Sequence, residues 1–239
     1  MPVYRLGPAP VFPPASFARD DGLLCLGGDL APQRLLAAYQ NGIFPWPHEG
    51  MPLLWFSPDP RWVIRPAKLH LPRRLARRLR QGAFRFSLDT AFEQVIAACA
   101  AAPRIGQGGT WITPPMVAAY TALHRLGWAH SLEAWQGDEL VGGLYGVATN
   151  GVFTGESMFC RRSDASKAAL VTLVLQIRRW HFGLLDAQVQ TPHVERLGAR
   201  PLGRSAFLRL LRQSPPEAGR PGRWLLDADL AAGRDLPAD

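Results

Sequence analysis

Residues 140–188 read LVGGLYGVATNGVFTGESMFCRRSDASKAALVTLVLQIRRWHFGLLDAQ. Leu140 to Ala148 and Val152 to Phe159 are apolar, strand-like runs on either side of Asn150-Gly151, a strong hairpin signal. Ser163 or Asp164 then stands where a helix cap is expected, ahead of a helix running to about Trp180. Ala168, Leu170, Val171, Leu173, Val174 and Ile177 make that helix apolar over most of its surface, which predicts burial. Leu184 to Gln188 reads as a further strand. A strand, a crossover helix and a strand make the two strands parallel neighbours. A ligand cleft is expected where they separate. Three polar residues, Glu156, Asp186 and Gln188, lie inside these apolar segments. Breaks in the apolar pattern tend to mark function.

Working outward, His130 to Trp135 is an expected strand that turns at Gly137-Asp138 and pairs with the run from Leu140. Trp62-Val63-Ile64 and Phe84 to Leu88 read as two more strands. Asp89 or Thr90 is placed to cap a helix with Phe92, Val95, Ile96 and Cys99 inward. Ile105 to Gly109 is glycine-rich and expected to be mobile. Thr113 caps a helix opening on Pro114-Pro115, and Thr191 caps a short one opening on Pro192. Ser205 to Arg212 forms a last helix, and the stretch after Ser214 reads as a poorly packed tail. The chain is therefore α+β, with an antiparallel meander, a crossover helix and a returning strand. That order is the one found in the acyl-CoA N-acyltransferase (GNAT-like) fold.

The texture changes near Trp62, which suggests a small N-terminal domain over 1–61 and a catalytic domain over 62–239 with an irregular tail. Pro8, Pro10, Pro13 and Pro14 predict an extended arm that packs by side chain rather than by ladder. A short apolar run follows from Gly22 to Asp29. Pro32 then opens a helix with Leu35, Leu36 and Tyr39 on one face. The loop Ile43-Phe44-Pro45-Trp46-Pro47-His48 and the pair Trp55-Phe56 bring much aromatic surface into one region. Such surface is either a packed joint or a platform for flat ligands.

A chain of 239 residues, 47% hydrophobic and 19% charged, can bury a substantial core. Its net charge of +8 and pI of about 10.2 favour nucleic acid or an anionic surface as partner, unless they reflect only a compositional bias towards Arg and Ala. Arg73, Arg74, Arg77, Arg78 and Arg80 share one helix with a sparse Leu75–Leu79 stripe. No acidic residue stands at helical spacing among them, so the face suits a polyanion better than a balanced solvated surface would. Cys25, Cys99 and Cys160 are far apart, which argues against a zinc site or disulfide scaffold and reads as three small core residues. No signal peptide or membrane-length apolar run is evident, so a cytoplasmic protein is expected.

An acyltransferase that uses CoA needs backbone N–H groups from a glycine-rich turn at the start of the crossover helix. Here that turn is Arg161-Arg162-Ser163-Asp164-Ala165-Ser166, with no glycine and an acidic residue that would repel a pyrophosphate. Asp186 and Gln188, two apart, are expected on one strand face. The Asp186 carboxylate would then accept from the Gln188 side-chain amide, leaving the Gln188 carbonyl to hold the N–H of an attacking amine. An α-amino group, with a pKa of about 7.7–8.0, is partly neutral near pH 7 and needs positioning more than a strong base. Glu156 is suited to pair with a cation. The plainer alternative is that the three satisfy buried backbone or anchor a loop. His130 and His193 read as packed polar groups.

The segments GLLCLGGDLAPQRLLAAYQNGIFPW, LLWFSPDPR, GTWIT, AHSLEAW, LVGGLYGV, FTGESMF, ASKAAL and LLDAQ together resemble the leucyl/phenylalanyl-tRNA–protein transferase family, from about Gly22 to Phe207. The resemblance implies transfer of Leu, Phe or Met from aminoacyl-tRNA to an N-terminal Lys or Arg of a protein, in the N-end rule pathway. It implies no cofactor, no CoA, no metal and no membrane partner. It places Asp186 and Gln188 at the centre of peptide-bond formation, with Glu156 contacting substrate. It assigns the terminal adenosine to Trp46 and Trp111. The side-chain pocket maps to Leu144, Phe153, Met158, Leu170 and Leu185, with Ile177 at its edge. The arginine helix would then hold tRNA phosphates. A CoA-dependent N-acetyltransferase and a non-catalytic tRNA-binding protein are the competing readings.

Overall fold

The computed structural model describes residues 3–48, 50–103 and 110–232. The strands are β1 (Tyr4–Leu6), β2 (Leu23–Gly27), β3 (Phe44–Pro45), β4 (Leu54–Phe56), β5 (Arg61–Ile64), β6 (Arg85–Leu88), β7 (Ala129–Gln136), β8 (Glu139–Thr149), β9 (Val152–Cys160), β10 (Leu184–Asp186) and β11 (Arg200–Leu202). The helices are α1 (Pro32–Gln40), α2 (Arg73–Arg80), α3 (Phe92–Ala101), α4 (Pro114–Arg125), α5 (Ala165–Arg179), α6 (Pro192–Arg196), α7 (Arg204–Arg212) and α8 (Ala228–Ala231). A four-stranded sheet runs β1-β2-β4-β3, and a seven-stranded mixed sheet runs β11-β5-β10-β9-β8-β7-β6. Among the described residues no helix is long and apolar enough to cross a membrane.

The crossover reading holds. β10 pairs parallel with β9, Leu184 opposite Val152 and Asp186 opposite Thr154. α5 between them is buried along most of its length, as its apolar surface requires. Its first turn lies close against β8, where a Cβ on Gly142 would come within 2.6 Å of the Ala165 Cβ. Glycine there lets helix and sheet approach. β10 stops at Asp186 while β9 continues to Cys160, so the two strands part and leave a cleft.

Several expectations are corrected. The proline-rich arm does join a ladder: β1 pairs parallel with β2, Tyr4 opposite Cys25, ahead of Pro8. The strand expected to reach Gln188 ends two residues earlier, because Gln188 adopts φ +63°. Cys25 and Cys99 are buried, but Cys160, at the end of β9, is exposed. Asp89 and Thr90 do not cap α3, whose cap position is Ala91 without a side-chain bond. Asp89 instead accepts from His130 Nδ1 (2.8 Å), the Ser131 N–H (3.0 Å) and the Trp224 N–H (2.9 Å). Thr113 stands at the cap of α4 without a side-chain bond, whereas the Thr191 hydroxyl does cap α6, accepting from the Val194 N–H at 3.3 Å. The Ile105–Gly109 loop lies outside the described residues.

The tail is the largest correction. Trp224 is 3% exposed and stacks on His130 with ring centroids 3.7 Å apart, and Trp180 and Phe182 both meet it in T-shaped contacts. The backbone around it is tied at both ends. Asn150 Nδ2 donates to the Ser214 carbonyl, and the Asp227 N–H donates to Gln176 Oε1, each at 2.8 Å. Low hydrophobicity in a segment does not prevent packing when a few large side chains, here Trp224 and Leu230, supply the buried area.

Candidate active site

A cavity of about 610 Å³ fills the cleft where β9 and β10 separate. Gly155, Glu156, Ser157 and Met158 of β9 form one wall, and Ala187, Gln188, Val189 and Gln190 after β10 form the other. Leu144, Leu170 and Leu185 make an apolar floor, and Trp46 and Trp111 stand in the lining.

A bulge sets this wall. Tyr145 pairs with Ser157 and Gly146 pairs with Gly155, so Glu156 is an extra residue with no partner on β8. A bulge re-aims a side chain and shifts the alternation beyond it. Phe153 opposite Ala148 and Met158 opposite Leu144 therefore share a face, although they are an odd number of residues apart. Glu156 turns towards both the cavity and the buried side of the sheet. Its Oε2 accepts from the Tyr120 hydroxyl (3.0 Å) and its Oε1 from Gln188 Nε2 (2.8 Å). The Tyr39 and Tyr120 hydroxyls are hydrogen-bonded in turn. Burial pushes the Glu156 carboxyl up to about 7, opposed by the hydrogen bonds from Tyr39, Tyr120 and Gln188, with the Asp186 charge adding to the rise. The expected cationic partner of Glu156 is corrected here to two phenols and an amide.

Gln188 sits at the mouth of this network. Its left-handed backbone brings its N–H to Asp186 Oδ1 at 2.8 Å while its side chain reaches Glu156. Asp186 thus holds Gln188 by the main chain, and the expected bond to the side-chain amide is corrected. With Nε2 committed to Glu156, the Gln188 carbonyl oxygen is left as an acceptor in a residue that lines the cavity.

Asp186 is 0% exposed and needs a counter-charge. Arg61 supplies it: Nε lies 3.0 Å from both carboxylate oxygens and Nη2 lies 2.8 Å from Oδ2. Arg61 Nη1 donates to the Gly42 carbonyl at 3.0 Å, and the guanidinium lies 4.9 Å from the Phe44 ring and 4.7 Å from the Phe207 ring. Arg61 thereby joins α1, the four-stranded sheet and α7 to the end of β10.

Of the expected site residues, Glu156, Gln188, Trp46, Trp111, Leu144, Met158, Leu170 and Leu185 meet at the cavity. Asp186 lies just behind it. Phe153 and Ile177 do not line it; both are buried in the core against its floor. Arg73, Arg74, Arg77 and Arg80 are exposed on α2, with Leu75 and Leu79 buried beneath. Arg78 is half-buried and reaches Asp164 at 3.4 Å. Asp164 occupies the cap position of α5, but its carboxylate bonds Lys167 (2.9 Å) and Arg78 rather than the helix.

Arg61, Tyr39 and Tyr120 were not singled out from sequence. The one available signal was Arg61 standing at the head of an apolar strand; Tyr39 read only as a helix-face residue.

The model of the leucyl/phenylalanyl-tRNA protein transferase family matches residues 63–212, and that of its N-terminal domain matches 28–59. This chain belongs to that family. A leucyl/phenylalanyl-tRNA–protein transferase of Alkalilimnicola ehrlichii is 58% identical over 237 residues, covering 95% of this chain and 92% of that protein. One from an Anaeromyxobacter species is 52% identical over 234 residues, covering 98% of this chain and all of its relative. A family relative from Nitratidesulfovibrio vulgaris is 53% identical over 219 residues, covering 92% of this chain and 94% of that protein. Among solved structures, the C-terminal domain of a lysylphosphatidylglycerol synthetase from Agrobacterium fabrum aligns with a TM-score of 0.37 and 11% identity, over 88% of this chain and 69% of that one. That likeness is too loose to carry weight.

Proposed function

We propose that this transferase moves Leu, Phe or Met from aminoacyl-tRNA to the α-amino group of an N-terminal Lys or Arg of an acceptor protein. The product is a cytoplasmic protein marked for N-end rule degradation. The observation that supports the chemistry best is the Glu156–Gln188 pair, fixed at 2.8 Å in the wall of an apolar cavity.

The aminoacyl side chain enters between Leu144, Met158, Leu170 and Leu185. Such a pocket discriminates by only about 1–3 kcal/mol per methylene, so several unbranched or γ-branched side chains are accepted. The terminal adenosine stacks on Trp46 or Trp111, each stack contributing about 1–3 kcal/mol. The acceptor amine donates to the Gln188 carbonyl oxygen and attacks the ester carbon. Glu156, poised near pH 7, takes the proton released from the nitrogen. The tetrahedral intermediate collapses, the carbon–oxygen ester bond breaks, and the ribose oxygen leaves with a proton. No metal or CoA enters the scheme. The ion-paired Asp164 at the start of α5, where a CoA pyrophosphate would need backbone donors, supports that reading.

A division near 61/62 is supported by the change of sheet: β4 of the four-stranded sheet ends at Phe56, and β5 of the seven-stranded sheet begins at Arg61. The seven-stranded sheet, with its crossover α5 and parted β9 and β10, supports an acyl-CoA N-acyltransferase-like ancestry for the catalytic half.

Single-turnover transfer of Phe from charged tRNA to a peptide beginning with Arg tests the function. A Phe-Arg peptide bond is expected, and its absence overturns the proposal. Asp186→Ala and Gln188→Ala are each expected to slow the step, and wild-type rates from both would remove their assigned roles. For α2, replacing Arg73, Arg74, Arg77 and Arg80 with Ala is expected to weaken tRNA binding and reduce the slope of log K against log salt by about one unit per lost phosphate contact. Arg78→Ala should change the slope less, since Arg78 already pairs with Asp164. A slope unaltered by the fourfold variant identifies α2 as a merely solvated face.

A further inference from the structure

His193 lies in α6 and lines the cavity. Its Nε2 is buried, and among the described residues it has no hydrogen-bond partner. The Thr191 cap fixes the turn that carries it. A buried, unmet nitrogen in the wall of a binding cavity is the kind of group a ligand satisfies.

The surroundings say which ligand. Burial, together with the charges of Lys167 and Arg196, holds the imidazole below its ordinary pKa, so it is neutral at pH 7 in a positive neighbourhood. Lys167 Nζ is 2.9 Å from Asp164 Oδ1, and Arg78 Nη1 is 3.4 Å from Asp164 Oδ2. Arg74 also acts on Asp164. A row of cations thus runs from the cavity wall at α6, across the start of α5, to the exposed face of α2. Asp164 on α5 and Glu195 on α6 are carboxylates beside these cations, and Lys167, Arg196, Arg78 and Arg74 outnumber them, so the strip keeps a positive balance.

We propose that His193 binds, through Nε2–H, the phosphodiester joining the last two nucleotides of the donor tRNA, with Lys167 and Arg196 balancing its charge. The same strip leads the single-stranded 3′ end from the cavity to the arginine helix. The inference rests on the donor assigned above. It adds a phosphate contact, which positions the strand without reading its sequence.

Two non-hydrolysable donors separate this from other roles. One is phenylalanyl-amide adenosine, which carries no phosphate; the other is the same group on a CCA trinucleotide. His193→Ala is expected to weaken binding of the trinucleotide about tenfold, the loss of one charge-assisted hydrogen bond. Binding of the adenosine compound should stay within about twofold. His193→Gln, whose amide N–H reaches close to the Nε2 position, should restore most of the loss. Lys167→Ala should weaken the trinucleotide alone and flatten its salt dependence. Melting curves of each variant establish that the fold is intact. Equal loss for both ligands assigns His193 to the ribose or the pocket and overturns the phosphate contact. No loss for either makes it a packing residue and overturns it as well. Failure of the wild-type protein to bind the adenosine compound instead removes the donor assignment itself.

Discussion

Replacing Arg61 with methionine is expected to lower stability by about 3–5 kcal/mol, because it strands a buried carboxylate without its counter-charge. Asp186 is 0% exposed, and its side chain receives three N···O contacts from Arg61 at 2.8–3.0 Å plus the Gln188 N–H. Denaturant unfolding measures the loss, and an effect below about 1 kcal/mol would mean that water or protonation rescues Asp186. The transfer rate should fall by about two orders of magnitude even where the variant remains folded, since a small misplacement of a reacting group can cost that much. The double variant Arg61→Met with Asp186→Leu separates the two roles. Removing both charges should recover much of the stability, as buried pairs replaced by apolar residues often do. It should not recover transfer, because Gln188 then lacks the acceptor that holds its backbone. Arg61→Lys is not a mild change either. A lysine cannot contact both carboxylate oxygens and the Gly42 carbonyl while lying between two rings.

Glu156→Gln is expected to stabilise the protein at pH 8 while impairing it as a catalyst. The folded carboxyl titrates at about 7, above the ordinary value of 4.5, because burial penalises its charge. A group raised in this way contributes its stability fully below about pH 4.5 and loses it as pH rises through 7. Above pH 7 the wild-type chain therefore carries the cost of a buried anion, about 3 kcal/mol for a shift of this size. Glutamine keeps an acceptor for Gln188 and a polar group for Tyr120 without that cost. Melting temperatures should favour the variant at pH 8 and converge near pH 5. A variant less stable at pH 8 would refute the assignment of burial as the dominant influence. Its transfer rate should drop about 10²-fold, the usual contribution of a positioned base. The pH profile supplies a second check. On the proposed mechanism the wild-type rate should fall below pH 7 through both Glu156 and the acceptor amine, whereas the variant should retain only the amine limb. An unchanged profile would assign the proton transfer elsewhere. Stability traded for activity at a buried charge is a common cost of a functional site.

Much of the site was legible before any coordinates. The turn at Asn150-Gly151, the apolar surface of α5 and the parallel return of β10 all rest on short-range patterns, and each appears as expected. The misplaced polar trio led to the cleft for the same reason: an apolar period broken by a carboxylate is visible within a few residues. The tail was misjudged because the large apolar side chains it buries, Trp224 and Leu230, stand singly among Pro, Gly and charges, with no periodicity to detect. The family resemblance put Phe153 and Met158 in one pocket. The bulge at Glu156 does bring them to one face, where strict alternation would not, but only Met158 lines the cavity.

By itself the sequence determined the class of fold, the crossover that creates the cleft, and the polar residues the cleft holds. Periodicity, turn residues and helix stops are local, so they can be read along the chain. Tertiary structure alone decided how those residues are held. Arg61 meets Asp186 across 125 positions, and Tyr120 meets Glu156 across 36. Gln188 leaves the strand in a left-handed turn and gives its side chain to Glu156 rather than to Asp186. Contacts at such separations follow from packing the sheets and helices together, and a buried charge reveals its partner only once both are out of water.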